Sequence, residues 1–198
     1  MEKKFILTDK FVINSFGIKL FQIKCTKSFK YAQKGDFGGY VEKEGNLDQK
    51  NDAWVSDNAR VSGDAWVSGD ARVSGDAWVS GDAWVSGNAW VSGDARVSGD
   101  ARVSGDARVS GNAWVSGDAD IENDNEHCGF DGFGSCNRHT HAYMTKEKKV
   151  EIICGCFRGS IEEFEKKVEE THSGTVYEKQ YKSIINVIKI KFGLTDFT

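Results

Sequence analysis

The residues of this chain that could take part in chemistry are concentrated in its last third. Six of them are Cys128, Cys136, Cys154, Cys156, His139 and His141. Such residues can bind zinc, and a Cys–His pair can act as nucleophile and base. However, no Cys-x-x-Cys spacing is present, and Cys154 and Cys156 alternate on one predicted strand. The pattern therefore favours free thiols in a reducing cytoplasm over a metal site, and no residue is evident that would orient a Cys–His pair.

A second candidate is the Gly-rich stretch at 129–135, GFDGFGS, which is predicted to be a loop. The N–H groups of such a loop can hold a phosphate, with Arg138 or Arg158 supplying positive charge. A connecting loop without a ligand has the same composition, so both interpretations stay open.

Charge is distributed unevenly along the 198 residues. Residues 1–40 carry a net charge of +5, residues 41–124 carry −9, and residues 125–198 are balanced. The lack of a basic stripe argues against direct nucleic-acid binding. No apolar run reaches the length of a membrane span, and the first residues lack the features of a signal peptide. We expect a cytoplasmic protein without a membrane anchor.

A six-residue phrase, AWVSGD or ARVSGD, repeats from Ala53 to Asp124. Its Ala and Val lie two apart and point to one side of a short strand, while the Trp or Arg between them points to the other. Gly with Asp or Asn then favours a turn, so the phrase predicts a solenoid. The hexads beginning at Val41 and Leu47 keep the period, with both residues predicted at the alanine position, and form a capping coil.

The variable Trp/Arg position predicts the length of one coil. With 18-residue coils the outward residues stack in three ladders: Trp54–Arg72–Trp90–Arg108, Arg60–Trp78–Arg96–Trp114 and Trp66–Trp84–Arg102. Seven of the eight contacts then pair Trp with Arg, at a rung spacing of about 4.8 Å that suits a guanidinium over an indole. Coils of 12 or 24 residues would stack Arg on Arg, which repels. The sequence predicts a three-sided prism of between four and five coils.

This period resembles the left-handed β-helix hexapeptide-repeat family, and the resemblance implies the left hand. The best-known enzymes of that family are acyltransferases that act on coenzyme A substrates and use a histidine from a coil or an inserted loop. Residues 53–124 contain neither a histidine nor an inserted loop, which argues against that activity.

The chain is predicted to divide into three parts. Residues 1–40 form a β segment that leads into the solenoid, residues 41–124 form the solenoid, and residues 125–198 form a small α+β unit. In that unit a hairpin is predicted around the TKEKK turn, followed by two amphipathic helices, the first opened by Ser160 and Glu163 as a capping box. The apolar helix faces could pack on the hairpin, on the end of the solenoid, or on a second subunit.

Nearly the whole chain resembles a family of uncharacterised phage and prophage proteins. The matching motifs are GDFGGYVEKEGNL at 35–47, the hexads, and CGCFRG with EEF and ETH at 154–172. The resemblance implies a virus-encoded accessory protein in the bacterial cytoplasm and carries over no catalytic residue.

The function expected from these features is non-catalytic protein binding without a cofactor. Trp and Arg are enriched in binding hot spots, so the ladders, with Arg138 and Arg158, are candidate contact residues for a host protein. Inhibition of a host defence system, for example by an anti-CRISPR protein, fits a phage origin. The alternatives are a nucleotide binder or sponge, a structural virion component, and ladders that only shield the strands.

Overall fold

The N-terminal residues form an antiparallel hairpin that leads into the first coil. In the computed structural model, which describes residues 2–194, its strands are β1 (Phe5–Ile13), β2 (Lys19–Cys25) and β3 (Phe37–Val41), followed by a 3-10 turn at Glu44–Asn46. β1 pairs with β2 and β2 with β3, both antiparallel. Met1 belongs to the predicted N-terminal part and residues 195–198 belong to the predicted C-terminal part, and both lie outside the described residues.

Twelve two-residue strands build the solenoid, one from each hexad between Ala53 and Asp124. They are β4 (Trp54–Val55), β5 (Arg60–Val61), β6 (Trp66–Val67), β7 (Arg72–Val73), β8 (Trp78–Val79), β9 (Trp84–Val85), β10 (Trp90–Val91), β11 (Arg96–Val97), β12 (Arg102–Val103), β13 (Arg108–Val109), β14 (Trp114–Val115) and β15 (Asp120–Ile121). Each strand pairs in parallel with the strand 18 residues away. The predicted three-sided parallel solenoid with 18-residue coils is confirmed.

The three faces of the solenoid correspond to the three predicted ladders. Face A contains β4, β7, β10 and β13, and face C contains β6, β9, β12 and β15. Face B contains β5, β8, β11 and β14, and is extended by β3, β2 and β1 into a seven-stranded sheet. The N-terminal hairpin is therefore a continuation of face B, and β1 is its free edge strand.

Inside the prism the Ala and Val side chains of successive coils stack on one another and are excluded from solvent. The backbone pairs from coil to coil, as where the N–H of Trp90 donates to the carbonyl of Ala107 over 2.9 Å. Two separate features of the corners require glycine. Gly87 has φ +65°, and a Cβ added to it would lie 2.8 Å from the backbone nitrogen of Gly105 in the next coil. Positive φ and close approach of two chains both exclude a side chain there.

The predicted register of the capping coil is wrong by two residues. Val41 pairs with Val61 and Leu47 with Val67, so both occupy the valine position of a hexad and not the predicted alanine position. The predicted register returns at Ala53, after two extra residues at the intervening corner. The physical reason is that the predicted register would place Lys43 and Gln49 at valine positions inside the prism, where polar groups without partners are costly.

The displaced register gives Asn46 a structural role. Its side chain is fully buried, and its amide nitrogen donates to the carbonyls of Gly63 and Ala65 over 3.0 and 2.8 Å. Its Oδ1 accepts from the N–H of Lys43. Asn46 thus satisfies backbone groups that have no strand above them, as a cap must.

A four-stranded antiparallel sheet follows the solenoid, in the order β16 (His127–Phe133), β17 (Arg138–Met144), β18 (Val150–Cys154) and β19 (Phe157–Ser160). The predicted hairpin is β17–β18. The prediction of a loop at 129–135 is wrong, because the stretch as far as Phe133 belongs to β16 and pairs with β17. Sheet pairing overrides the turn preference of its glycines.

Two helices, α1 (Ile161–His172) and α2 (Val176–Lys191), cover this sheet. Ser160 and Glu163 form the predicted capping box of α1, and Thr175 caps α2. Phe164 and Ile185 pack with Ile152 of the sheet in one hydrophobic cluster. Of the three predicted mates for the helix faces, the structure shows the sheet. No helix within residues 2–194 is long and apolar enough to cross a membrane.

The same sheet closes the end of the solenoid. Tyr143 and Ile153 belong to the hydrophobic cluster of the solenoid interior. The hydroxyl of Tyr143 donates to the carboxylate of Glu151 over 2.6 Å and lies 3.2 Å from the carbonyl of Ser116, and Ala119 forms a bridge with Thr145. The core therefore continues without a break from the repeat into the C-terminal unit.

Candidate protein-binding surfaces

The predicted ladders are formed in the predicted register, but their contacts differ from rung to rung. Within residues 2–194, two Trp–Arg pairs of the ladders have the guanidinium over the indole: Arg72 lies 4.5 Å from the ring of Trp90, and Arg102 lies 5.8 Å from that of Trp84. Trp66 and Trp84 stack with ring centroids 5.2 Å apart and ring planes 25° apart. Coil stacking brings together the residues of each ladder but not the three ladders with one another.

Serine residues of the repeat hold several of the indoles. The ring N–H donates to the serine hydroxyl of the preceding coil for Trp78 to Ser62 and for Trp90 to Ser74, over 3.3 and 3.0 Å. Trp84 makes the same contact. The sequence predicted no role for this serine. The signal is that the serine persists in hexads whose corner residues vary.

The N-terminal segment covers the first rungs of two faces. On face A, Phe29 packs edge-to-face on Trp54 at 5.4 Å, and Trp54 is only 5% exposed. Tyr31 lies against Arg72 in the next rung, 5.0 Å from its guanidinium. On face B, Phe16 approaches Trp78, with ring centroids 6.2 Å apart. These contacts remove the early rungs of faces A and B from the candidate surface.

Face C remains open. Trp66 in its first rung is 41% exposed and Trp84 in its second is 39% exposed. Trp66 has Asp48 where a serine would receive its ring N–H, and the indole makes no hydrogen bond within residues 2–194. Arg102 continues the row as an exposed guanidinium. Two stacked indoles thus form an apolar strip, which is followed along the row by the guanidinium of Arg102 and, in the last rung, by Asp120.

The later rungs of faces A and B are also accessible, but each shows a single exposed indole, Trp90 on face A and Trp114 on face B. The arginine one coil away from each of these indoles, Arg108 on face A and Arg96 on face B, is also exposed. Arg60 is half-buried under Tyr40 of β3, and its Nε has no hydrogen-bond partner within residues 2–194. Neither face repeats the adjacent pair of exposed indoles on face C.

The N-terminal hairpin carries an apolar surface that sequence reasoning missed. Phe11 and Phe37 are exposed on it, as are Ile13 and Phe16. Lysine side chains lie over two of these rings, Lys19 over Phe11 and Lys24 over Phe37, at 4.6 and 5.2 Å. Some lysines of the basic segment 1–40 therefore cover aromatic rings with their side chains.

Arg138 and Arg158 have separate neighbours and do not form a phosphate cradle with residues 129–135. Arg158 forms an ion pair with Glu151 and lies against the corner at Gly117 of the solenoid. Arg138 lies over Gly155. The strand that replaces the predicted loop has its N–H groups directed along the sheet, so they are not arranged around a common anion.

The histidines form a chain of contacts beneath the last coil. The ring Nδ1 of His141 lies 3.0 Å from the carbonyl of Trp114, which can only accept, so Nδ1 carries the proton. Its Nε2 then accepts from Nδ1 of His127 over 3.1 Å. His139 pairs with Asp131 over 2.8 Å. Burial lowers the pKa of His141 to about 3 and also lowers that of His127.

The zinc site and the Cys–His pair that these residue types would allow are not assembled within residues 2–194. Within residues 2–194, no three His, Cys, Asp or Glu side chains are grouped to hold a metal ion, and no histidine is hydrogen-bonded to a thiol. Burial raises the pKa of Cys128 to about 11, which keeps that thiol protonated near neutral pH. Cys136 and Cys156 are exposed free thiols.

The comparison with protein families agrees with this architecture. The model of the YdcK beta solenoid repeat matches residues 53–69, 65–81, 71–87, 89–104, 95–108 and 101–117. These matches lie within the solenoid and cover less than half of the chain. No curated protein matches the chain. The repeats and their stacking together establish that the chain is a β-solenoid repeat protein.

Proposed function

We propose that the chain is a non-catalytic binding protein that contacts another protein through face C. The observation that carries the proposal is the adjacent pair of exposed, stacked indoles, Trp66 and Trp84, on the one face that the N-terminal segment leaves uncovered. Large aromatic side chains that are held rigid lose little conformational entropy on binding, and Trp and Arg dominate binding hot spots.

The surroundings of face C define the kind of partner. Its corner residues include the exposed carboxylates Asp82 and Asp100, and the solenoid region as a whole carries a net charge of −9. A complementary surface has an apolar centre that receives the indoles, with basic groups around it. The resemblance to phage accessory proteins adds a further expectation: the partner belongs to a bacterial host, and binding inhibits a defence system.

The test is a pull-down from bacterial lysate with the tagged protein, with and without nuclease. We expect a stoichiometric protein partner that survives nuclease treatment and is lost with the double variant Trp66→Ser/Trp84→Ser. Truncating a hot-spot residue costs at least about 2 kcal/mol, a loss of about 30-fold in affinity for each indole.

The matched control removes two exposed indoles from the other faces, in the variant Trp90→Ser/Trp114→Ser. Their exposed fractions, 36% and 40%, are close to those of the face C pair. Retention of the partner by this control and loss by the face C variant would support the proposal. Equal retention by both variants would show that the ladders only shield the strands. Recovery of a nucleotide without a protein partner would favour the ligand-binding alternative. Detection of the chain itself in purified virions would favour the structural alternative.

A further inference from the structure

A cavity of about 200 Å³ lies at the end of the C-terminal sheet, between the turn that follows β18 and the helices α1 and α2. It is separate from face C and from the histidine chain. Most of its lining comes from the stretch 154–172, which the sequence analysis singled out by its motif. No role in the fold or in the proposed function requires this space to be open.

Aromatic rings form its walls. Phe157 and Phe164 are in contact at 5.0 Å, and Phe164 meets Tyr181 edge-to-face at 5.6 Å. His172 stacks on Tyr181 at 5.5 Å, with ring planes 30° apart. The Tyr181 hydroxyl is held 3.7 Å from the sulfur of Cys154. The walls are therefore interlocked, and a flat apolar group would enter a preformed slot.

The charged groups at the cavity are all basic. They are Arg138 and Lys167, and no carboxylate lines the cavity. Arg138 forms no ion pair within residues 2–194 and lies over Gly155 next to the sulfur of Cys156. Lys167 has only an exposed contact with Glu170 at 3.6 Å, which contributes little in water. The cavity thus presents cationic donors without internal counter-charges.

We propose that this cavity binds a small aromatic carboxylate. The ring would lie among Phe157, Phe164 and Tyr181, and the carboxylate would accept hydrogen bonds from the guanidinium of Arg138, a geometry that arginine favours. The volume lies below the range of about 300–1,000 Å³ that is usual for drug-sized ligands, so a single ring with one acidic group fits better than a nucleotide. The carboxylate can belong to a free molecule or to the last residue of a peptide.

The test is calorimetric titration of the full chain with benzoate and, as the matched neutral probe, benzamide. We expect saturable binding of benzoate and binding of benzamide that is weaker by about tenfold or more, because only benzoate carries the charge. Arg138→Gln should reduce benzoate affinity by at least the same factor. Lys167→Gln, a change at an exposed helix position, should also weaken binding and serves if the Arg138 variant does not fold.

Lys166→Gln is the control variant. Lys166 lies next to Lys167 on α1 but lines a separate groove with Glu162 and Glu169, so the same change of charge should leave benzoate binding unaltered. N-acetylphenylalanine mimics the last residue of a peptide and distinguishes the two sources of the carboxylate. Tighter binding than benzoate would indicate the end of a peptide, and weaker binding would indicate a free molecule. Equal affinity for benzoate and benzamide, no saturable binding of any of these probes, or tighter binding of AMP would each overturn the proposal. None of these outcomes affects the pull-down result for face C.

Discussion

Acidification is predicted to destabilise the junction between the solenoid and the C-terminal sheet, because His141 is buried there in its neutral form. Its side chain is 1% exposed, and both ring nitrogens are engaged, with the carbonyl of Trp114 and with His127. A proton added to Nε2 would displace the hydrogen bond from His127 and place an uncompensated charge in the interior. The carboxylates in this region contact the neighbouring histidines and not His141: Asp124 lies 3.9 Å from the ring of His127, and Asp131 pairs with His139.

The size of the effect follows from the pKa of His141, which is lowered from 6.5 to about 3. Above pH 6.5 neither the folded nor the unfolded chain binds a proton at this residue, so its contribution to stability is complete. As the pH falls below 6.5 the unfolded chain takes up the proton and the folded chain does not. The free energy of unfolding therefore falls by about 2 kcal/mol between pH 7 and pH 5, and by about 4 kcal/mol once the pH reaches 3.

The assay is urea denaturation at pH 7 and pH 5, followed by tryptophan fluorescence. The variant His141→Gln can still donate to the carbonyl of Trp114 and accept from His127 but does not titrate, so its stability should change by about 2 kcal/mol less over this interval than that of the wild type. The lowered carboxylate pKa values, such as that of Asp131 beside His139, affect stability only at lower pH. An equal pH dependence in variant and wild type would refute the reasoning, as would a gain in stability on acidification.

Three further predictions concern the solenoid and are all checked by urea denaturation at neutral pH. Gly111→Ala should lower the free energy of unfolding by about 1–2 kcal/mol because of its positive φ alone. Gly87→Ala, whose Cβ would also meet the next coil, should lower it by at least about 1 kcal/mol more. Equal losses in the two variants would contradict the close packing of the corners. Val91→Ala removes two buried methyl groups and should cost about 2–3 kcal/mol, and a cost under about 0.5 kcal/mol would mean that the interior is not tightly packed. Asn46→Ala leaves two carbonyls without donors and should lower the free energy of unfolding by about 1–3 kcal/mol. The control, Asn58→Ala at an exposed position, should lower it by about 0.5 kcal/mol or less. Similar losses in the two variants would refute the capping role.

The coil length could be predicted from the sequence because it depends on a local rule that acts at every rung. Arg avoids Arg and tolerates Trp, and only the 18-residue period satisfies this along all three ladders. The same rule does not decide the geometry of each contact. Trp66 stacks on Trp84, and only some of the Trp–Arg pairs have the guanidinium over the ring.

The remaining differences arise from tertiary contacts that have no periodic signal. The capping coil shifts by two residues so that Val41 and Leu47, and not Lys43, enter the interior. Residues 129–133 become a strand because β17 offers a free edge, although their glycines favour a loop.

The candidate site itself depends on such a contact. The six tryptophans look equivalent in the sequence, and only the packing of the N-terminal segment on faces A and B distinguishes buried Trp54 from exposed Trp66. Likewise, the cavity under α1 joins residues from β17, the turn after β18 and both helices, which no local pattern brings together.

The most direct test of partner binding through face C is site-specific photo-crosslinking in bacterial lysate. A photoreactive phenylalanine analogue would replace Trp84 on face C or, as the control, Trp114 on face B, two positions with nearly equal exposure. We predict one discrete protein adduct from position 84 and none from position 114. Adducts of equal yield from both positions, or an adduct from position 114 alone, would contradict the assignment of face C as the binding surface.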